Sequence, residues 1–356
     1  MEKLNKIITV LALICFIFLI GVITYKIGTI NGRKEALREK NKVVSKQNKK
    51  VKKEETEVKK NIYYSYNGKL NLKDKKIVNK NGESFQLKGI SSHGIQWFKE
   101  YVNDDNIKTL KKYGANVFRI AMYTEENGYT VNKSLKNDAF KMMDLVIKND
   151  MYVIIDWHIL SDGDPLKHLN ESKEFFDEVS KKYKDYDNVI YEICNEPNGN
   201  VTWDNNVRPY AKEVLSVIRK NKKDAIVIVG TPTWSQDVDK AAEHPLNDDY
   251  VMYSLHFYSG THTSWLRDRA KEALNKIPIF VSEWGVSDAS GNGGVYLDEA
   301  DKWMSFINEN NLSWVNWSLT DKNESSALLK ENTNGVVNDN NLSESGKYII
   351  NQLKKK

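Results

Sequence analysis

The chain has 356 residues, 40% hydrophobic and 11% aromatic, with a formal net charge of +5. Residues 26–60 hold 13 Lys/Arg against 5 Asp/Glu, which leaves residues 61–356 at −4 and argues against a nucleic-acid-binding domain there. Of the two cysteines, Cys15 lies in an apolar N-terminal run and Cys194 in a predicted strand, so a disulfide-stapled fold is excluded and a sizeable core must supply stability.

From the N-terminus, Ile7 to Tyr25 is a 19-residue run without charge, flanked by Lys3, Lys6 and Lys26. Such a run just spans a bilayer as a helix. The alternative, a cleaved signal peptide, needs a small-residue cleavage site, and residues 21–29 offer no convincing one. Residues 1–25 are therefore expected to be a membrane anchor. Arg33, Lys34, Arg38 and Lys40 outnumber Lys3 and Lys6, so charge bias alone would leave the following part in the cytoplasm. The substrate argued below places it outside. Residues 26–60, rich in Lys and Glu and free of aromatics, read as a solvated stalk.

Residues 61–356 read as one domain. AsnGly pairs at 67–68 and 81–82 flank short apolar segments, which predicts one or two hairpins closing a barrel end. Strand-like apolar runs then recur at 85–90, 116–121, 152–157, 189–194, 225–229, 251–255, 277–282 and 313–317. Amphipathic stretches lie between them at 103–113, 138–149, 171–184, 207–221, 264–275 and 296–309. Eight strands alternating with helices predict an α/β fold of the closed (β/α)8, or TIM-barrel, type. A doubly wound open sheet is less favoured, because no Gly-rich phosphate turn follows the first strand. The final helix is expected to close the chain without a separate binding module. Action on soluble or amorphous substrate should then exceed action on crystalline material.

In such barrels chemistry sits at the C-terminal strand ends. There the sequence concentrates polar and aromatic residues: His93, Arg119, Asp156, His158, Asn195, Glu196, Trp234, His256, Tyr258, Glu283 and Trp317. Ionisable groups are costly in a core, so their clustering at one rim points to a site. AsnGluPro (195–197) and SerGluTrpGly (282–285) put one Glu at the end of the fourth strand and one at the end of the seventh. Two carboxyls flanking a bond are what glycoside hydrolysis requires, one protonating the leaving oxygen and the other attacking. Arg119 would keep the attacking carboxylate ionised and Tyr258 would orient it. Asn195 is placed to bond a sugar 2-hydroxyl. The six histidines show no HisGluXXHis pattern, and no metal is expected. Cys194 reads as a small core residue.

Several stretches resemble glycoside hydrolase family five, and closely its Bacillus-type endoglucanases. They include residues 87–97, 116–124, 152–162, 188–199, 228–238, 255–262, 280–285 and 312–319, and the resemblance covers essentially all of 65–350. It implies a (β/α)8 barrel, retaining endo-1,4-β-glucanase activity on a β-glucan chain, and no cofactor. It implies that Glu196 is the proton donor and Glu283 the nucleophile. His93, Arg119, His158, Asn195, His256 and Tyr258 match groups around them, and Trp317 matches the stacking residue of the central subsite. Trp97, Phe98, Tyr123, Ala289, Ser290, Lys322 and Glu324 match positions gripping glucose units on the non-reducing side, and Trp234 the leaving-group side. Phe98 stands where tyrosine is usual, and Pro232 where glycine precedes ThrTrp. Action on mannan, xylan or mixed-linkage glucan is the alternative within the family, since barrel loops set the substrate. A non-catalytic glucan-binding wall protein is the alternative outside it. A monomer without nucleic-acid partners is expected.

Overall fold

The computed structural model describes residues 62–355 and scattered positions between 19 and 42. The scattered positions are helical. Most of the apolar run 7–25, the stalk from 43 to 60 and Cys15 lie outside the described residues, so the expected anchor and spacer fall there too. Among the described residues, no helix is long and apolar enough to cross a membrane.

The domain opens with a short hairpin, β1 (Asn71–Lys73) and β2 (Lys76–Val78). Its two-residue turn is Asp74–Lys75, both left-handed at φ 49° and 62°. This differs from the expectation that an AsnGly pair would make the turn. Asn67–Gly68 instead ends a single helical turn, and Asn81–Gly82 sits in the next reversal, where Val78 bridges to Ser84. Asp accepts the left-handed conformation more readily than most residues, so a hairpin formed here without the AsnGly signal.

Eight parallel strands follow: β3 (Lys88–Ser92), β4 (Val117–Tyr123), β5 (Tyr152–His158), β6 (Val189–Glu192), β7 (Val227–Val229), β8 (Val251–Tyr258), β9 (Ile279–Gly285) and β10 (Trp314–Leu319). They close in that order, β10 pairing back onto β3. The closed ring rules out the open sheet. The first predicted strand, 85–90, joins two features. Phe85 donates its backbone N–H to Ile77 and belongs to the hairpin layer, whereas the barrel strand proper begins at Lys88.

Side chains alternate across each strand. Phe118, Ile120 and Met122 of β4, like Val153, Ile155 and Trp157 of β5, point outward into the layer shared with the helices. The inward positions stack in levels. Val117, Ile154, Ile190, Ile228, Met252, Phe280 and Val315 form an apolar floor with Leu70, Ile77 and Phe85 from the hairpin layer, so that layer plugs one barrel end. The helix Asp104–Tyr113 shows how ends are set. Asn103 caps it by accepting from Asn106 N–H, and Gly114 ends it at φ 112°. A Cβ on Gly114 would lie 2.5 Å from the carbonyl oxygen of Leu353 in the last helix, Glu344–Lys354, so only glycine fits between them.

Candidate active site

Above the apolar floor the inward positions turn polar. On β4 the series runs Val117, Arg119, Ala121, Tyr123, and on β5 Tyr152, Ile154, Asp156, His158. β9 breaks the alternation. Its pairing with β8 slips between Ser254↔Phe280 and His256↔Glu283, a bulge that lets neighbouring Ser282 and Glu283 both reach the interior. Trp284 then resumes the outward face.

Arg119 is fully buried. Its Nε donates to Glu192 Oε2 at 2.7 Å, and Nη1 donates to Glu283 Oε2 at 3.1 Å. Nη2 donates to Asn195 Oδ1 at 2.7 Å and lies 3.0 Å from Asp156 Oδ2. One guanidinium fork thus meets three carboxyl groups, a geometry lysine could not reproduce. They cannot all be ionised cheaply. Burial, with the Glu192 and Glu283 charges beside it, pushes Asp156 well above the usual carboxyl range despite Arg119. Glu192 goes the other way: burial opposes its charge, but Arg119 and a hydrogen bond from His256 hold it low.

Glu283 is oriented from both sides, since Tyr258 Oη donates to Oε1 at 2.8 Å while Arg119 takes Oε2. Glu196 comes from the loop after β6. Although that strand ends at Glu192, Ile193 and Asn195 still donate backbone N–H bonds to neighbouring strands, which fixes the loop. Glu196 Oε1 lies 2.9 Å from His256 Nδ1, and His256 Nε2 lies 3.0 Å from Ser282 Oγ, which donates to Glu192 Oε1 at 2.7 Å. Burial alone would discharge His256, but Glu192, Glu196 and Glu283 around it raise it to about 9. One side-chain atom each from Glu196, His256 and Glu283 lie within 4.8 Å of one another. By distance these three could hold a cation. Those atoms already have partners, however: His256 lies against Glu196, while Arg119 and Tyr258 donate to Glu283.

His158 is held differently. Its Nδ1 lies 2.6 Å from Asp156 Oδ2 and its Nε2 3.3 Å from Asn195 Nδ2. Burial and the nearby Arg119 charge lower it to about 3, so it is the neutral tautomer with the proton on Nδ1 that satisfies both contacts. Asn195 also donates to Ile159 O at 3.1 Å. A sugar hydroxyl would therefore have to share or displace the long His158 contact.

Beside the carboxylates runs an aromatic wall. His93 has ring contacts with Trp97, Phe98, Tyr123 and Trp317 at centroid distances of 5.8, 4.9, 6.5 and 5.0 Å. Burial, and after it the Lys322 charge, lower His93 to about 3. Lys322 pairs with Glu324 at 2.7 Å, and Ser290 is bonded within its own turn to Asp288. Trp97 is 47% exposed although the rest of the wall is mostly buried, so it presents a free face. Trp234 shares a cleft with Glu196 and His256, and Ala289, expected on the non-reducing side, borders that same cleft. Pro232 opens its turn, forcing Thr231 into an extended conformation, and Thr233, Trp234 and Ser235 are left-handed at φ 56°, 54° and 58°. Three consecutive non-glycine residues in that region mark a turn held by its surroundings. Cys194 is buried and its thiol is pushed up by burial, in keeping with an inert core residue.

Sequence reasoning did not single out Glu192, Ser282, Ser254 or Trp265. Glu192 was hidden in an apolar run, yet a Glu two residues after inward Ile190 on a barrel strand had to find a cation, and Arg119 and His256 supply it. Ser282 depends on the bulge, which leaves no mark in the residue pattern.

Residues 78–323 match the family model described as Cellulase (glycosyl hydrolase family 5). The chain is 50% identical over 290 residues to an endoglucanase of Clostridium saccharobutylicum, covering 80% of this chain and 65% of that one. It is 53% identical over 278 residues to endoglucanase A of Evansella cellulosilytica, covering 77% and 57%. The chain thus spans less than two thirds of the length of these curated relatives. Among solved structures it is similar to cellulase Cel5C_n, with a TM-score of 0.80 and 46% identity over 83% of this chain and 94% of that one.

Proposed function

The chain belongs to the cellulase family, glycosyl hydrolase family 5, and from that premise we infer that it is a retaining endo-1,4-β-glucanase. The observation that carries the reading is the Glu196–Glu283 pair, one carboxyl oxygen of each lying within 4.8 Å of the other. Retaining glycosidases hold their carboxyls about 5–5.5 Å apart, whereas inverting ones leave about 6.5–9.5 Å for a water.

In the first step Glu283 attacks the anomeric carbon and the glycosidic C–O bond breaks. Glu196 gives its proton to the leaving oxygen, and an ester joins sugar to Glu283. The His256 contact favours that transfer, because His256 Nδ1 donates to the carboxylate that forms on Glu196. Arg119 and Tyr258 hold the attacking carboxylate in one rotamer. In the second step Glu196 takes a proton from water, the resulting hydroxide equivalent attacks the anomeric carbon, and Glu283 leaves with its charge restored. Trp317 and the His93 wall supply faces for the sugars on the non-reducing side, with Lys322 and Glu324 as polar partners, and Trp234 supplies one on the leaving-group side.

The enzyme is read as a monomer outside the cell, with residues 7–25 as anchor or export signal and 26–60 as spacer, because a β-glucan is met outside. Protease shaving of intact cells should digest residues 61–356; their protection would place the domain inside.

The activity is tested with carboxymethyl-cellulose, mannan and xylan, following product anomers by NMR. Glucan cleavage giving the β-anomer first is expected. Release from mannan or xylan alone would overturn the substrate, α-anomer first would overturn the mechanism, and a Glu283→Ala chain as fast as wild type would overturn the nucleophile.

A further inference from the structure

Trp265 has no part in the reaction as described, and it is not among the buried residues through which its helix packs. It sits in the first turn of the helix Ser264–Ala273, whose buried residues are Leu266, Ala270 and Ala273, and it is 44% exposed. Trp234 is 46% exposed. Both line one cleft of about 410 Å³ that ends on Glu196 and His256, within the range of about 300–1,000 Å³ typical of ligand sites. A single exposed tryptophan needs no explanation. Two in one cleft that runs to a catalytic carboxyl do.

Their placement is also fixed. Arg269, one turn on from Trp265, covers one face of its ring with the guanidinium carbon 5.4 Å from the centroid. Arg269 Nη1 donates to Asp237 Oδ1 at 2.5 Å, and Thr233 Oγ1 donates to Asp237 Oδ2 at 2.6 Å. Thr233 is the left-handed residue next to Trp234. One run of contacts therefore ties the ring of Trp265 to the turn that carries Trp234. Arg269 and the ring of His262, 5.8 Å away between centroids, hold the indole, and its 44% exposed surface faces the cleft that a ligand would fill. The ligand class is a neutral sugar chain with apolar ring faces, reaching past the scissile bond.

We propose that Trp265 is an outer stacking platform for leaving-group-side glucose units, coupled to the Trp234 turn through Arg269 and Asp237. This rests on reading Glu196 as the acid, which makes its cleft the leaving-group side.

The test compares KM for cellohexaose with KM for an aryl β-cellobioside, whose small leaving group does not reach the outer cleft. In Trp265→Ala the ratio of the two is expected to rise about 3- to 10-fold, with cleavage of the hexaose shifting toward its reducing end. Trp265→Phe should return the ratio toward wild type. A ratio unmoved in a Trp265→Ala chain that melts like wild type overturns the proposal, as does an equal loss on both substrates. Cellohexaose binding to Glu196→Gln, followed by calorimetry with and without Trp265→Ala, separates this from the activity itself. If wild type cuts no β-1,4-glucan, the function fails, and the platform stands only if Trp265→Ala weakens binding by a similar factor.

Discussion

Nη1 of Arg119 donates to Oε2 of Glu283 at 3.1 Å from a guanidinium with no exposed surface. The same group also serves Glu192, Asp156 and Asn195, so it both organises the site and offsets its buried negative charge. Arg119→Met leaves Glu283 and Asp156 without their guanidinium partner and takes from Glu192 one of its two cations. Breaking a buried pair from one side costs about 3–5 kcal/mol, and urea denaturation should show a loss of that order together with loss of activity. Arg119→Lys keeps the charge but not the fork. It should recover part of the stability and little of kcat.

Three histidines contribute to the pH dependence of stability, with His262, lowered to about 4 by burial, acting in the same sense as His93 and His158. His256 is raised to about 9 from an ordinary 6.5, so its contribution is complete below about pH 6.5 and is lost as pH rises through 9. His93 and His158 are lowered to about 3, so the stability they confer is present above pH 6.5 and is lost as pH falls through 3. The melting temperature should therefore peak near pH 6.5. The alkaline fall, about 3 kcal/mol if His256 acts alone, should vanish in His256→Gln. A wild-type melting temperature flat between pH 6.5 and 9 would refute the assignment.

Ser282 links His256 to Glu192, which gives the next expectation. Ser282→Ala removes the oxygen between Nε2 and the Glu192 carboxylate and leaves the acidic groups in place. The alkaline limb of kcat should move to lower pH, because His256 loses a partner that supports its charge. KM should change little, since Ser282 is fully buried beneath the sugar-facing surface. An unmoved limb with reduced kcat would mean that Ser282 only packs.

The sequence was most legible where periodicity and chemistry agreed. The period-2 alternation of β4 and β5 and the helices between strands yield the barrel, and Glu196, Glu283, Arg119, His256 and Tyr258 meet as their strand-end positions imply. It was less legible where tertiary context decides. Asp74–Lys75 turns without glycine, and Ser282 enters the interior only because β9 slips against β8. Trp265 looks like any helix-start aromatic until Arg269 and the Trp234 turn are seen around it. The apolar run 7–25 is plain in the sequence, but its role rests on location, which residue pattern states ambiguously.

Asp156 and Glu192 are both fully buried acids beside Arg119, yet they should respond oppositely to amide substitution. Asp156 is pushed toward its protonated form by burial and by its charged neighbours. Its Oδ2 accepts from Arg119 and His158, while Oδ1 has no partner. An Asn there presents its oxygen to the same donors and puts an NH2 where the acid has an unbonded oxygen, so the substitution goes in the direction in which burial already pushes Asp156. Asp156→Asn should cost no more than about 1–3 kcal/mol, the range for one unsatisfied buried polar group. Glu192→Gln removes a charge that both Arg119 and His256 use, and the change should approach the 3–5 kcal/mol of a broken buried pair. Measured side by side in guanidinium chloride at neutral pH, Glu192→Gln should be clearly the weaker fold. The reverse order would mean that the proton sits on Glu192 and that the charge assignment of the whole cluster must be exchanged.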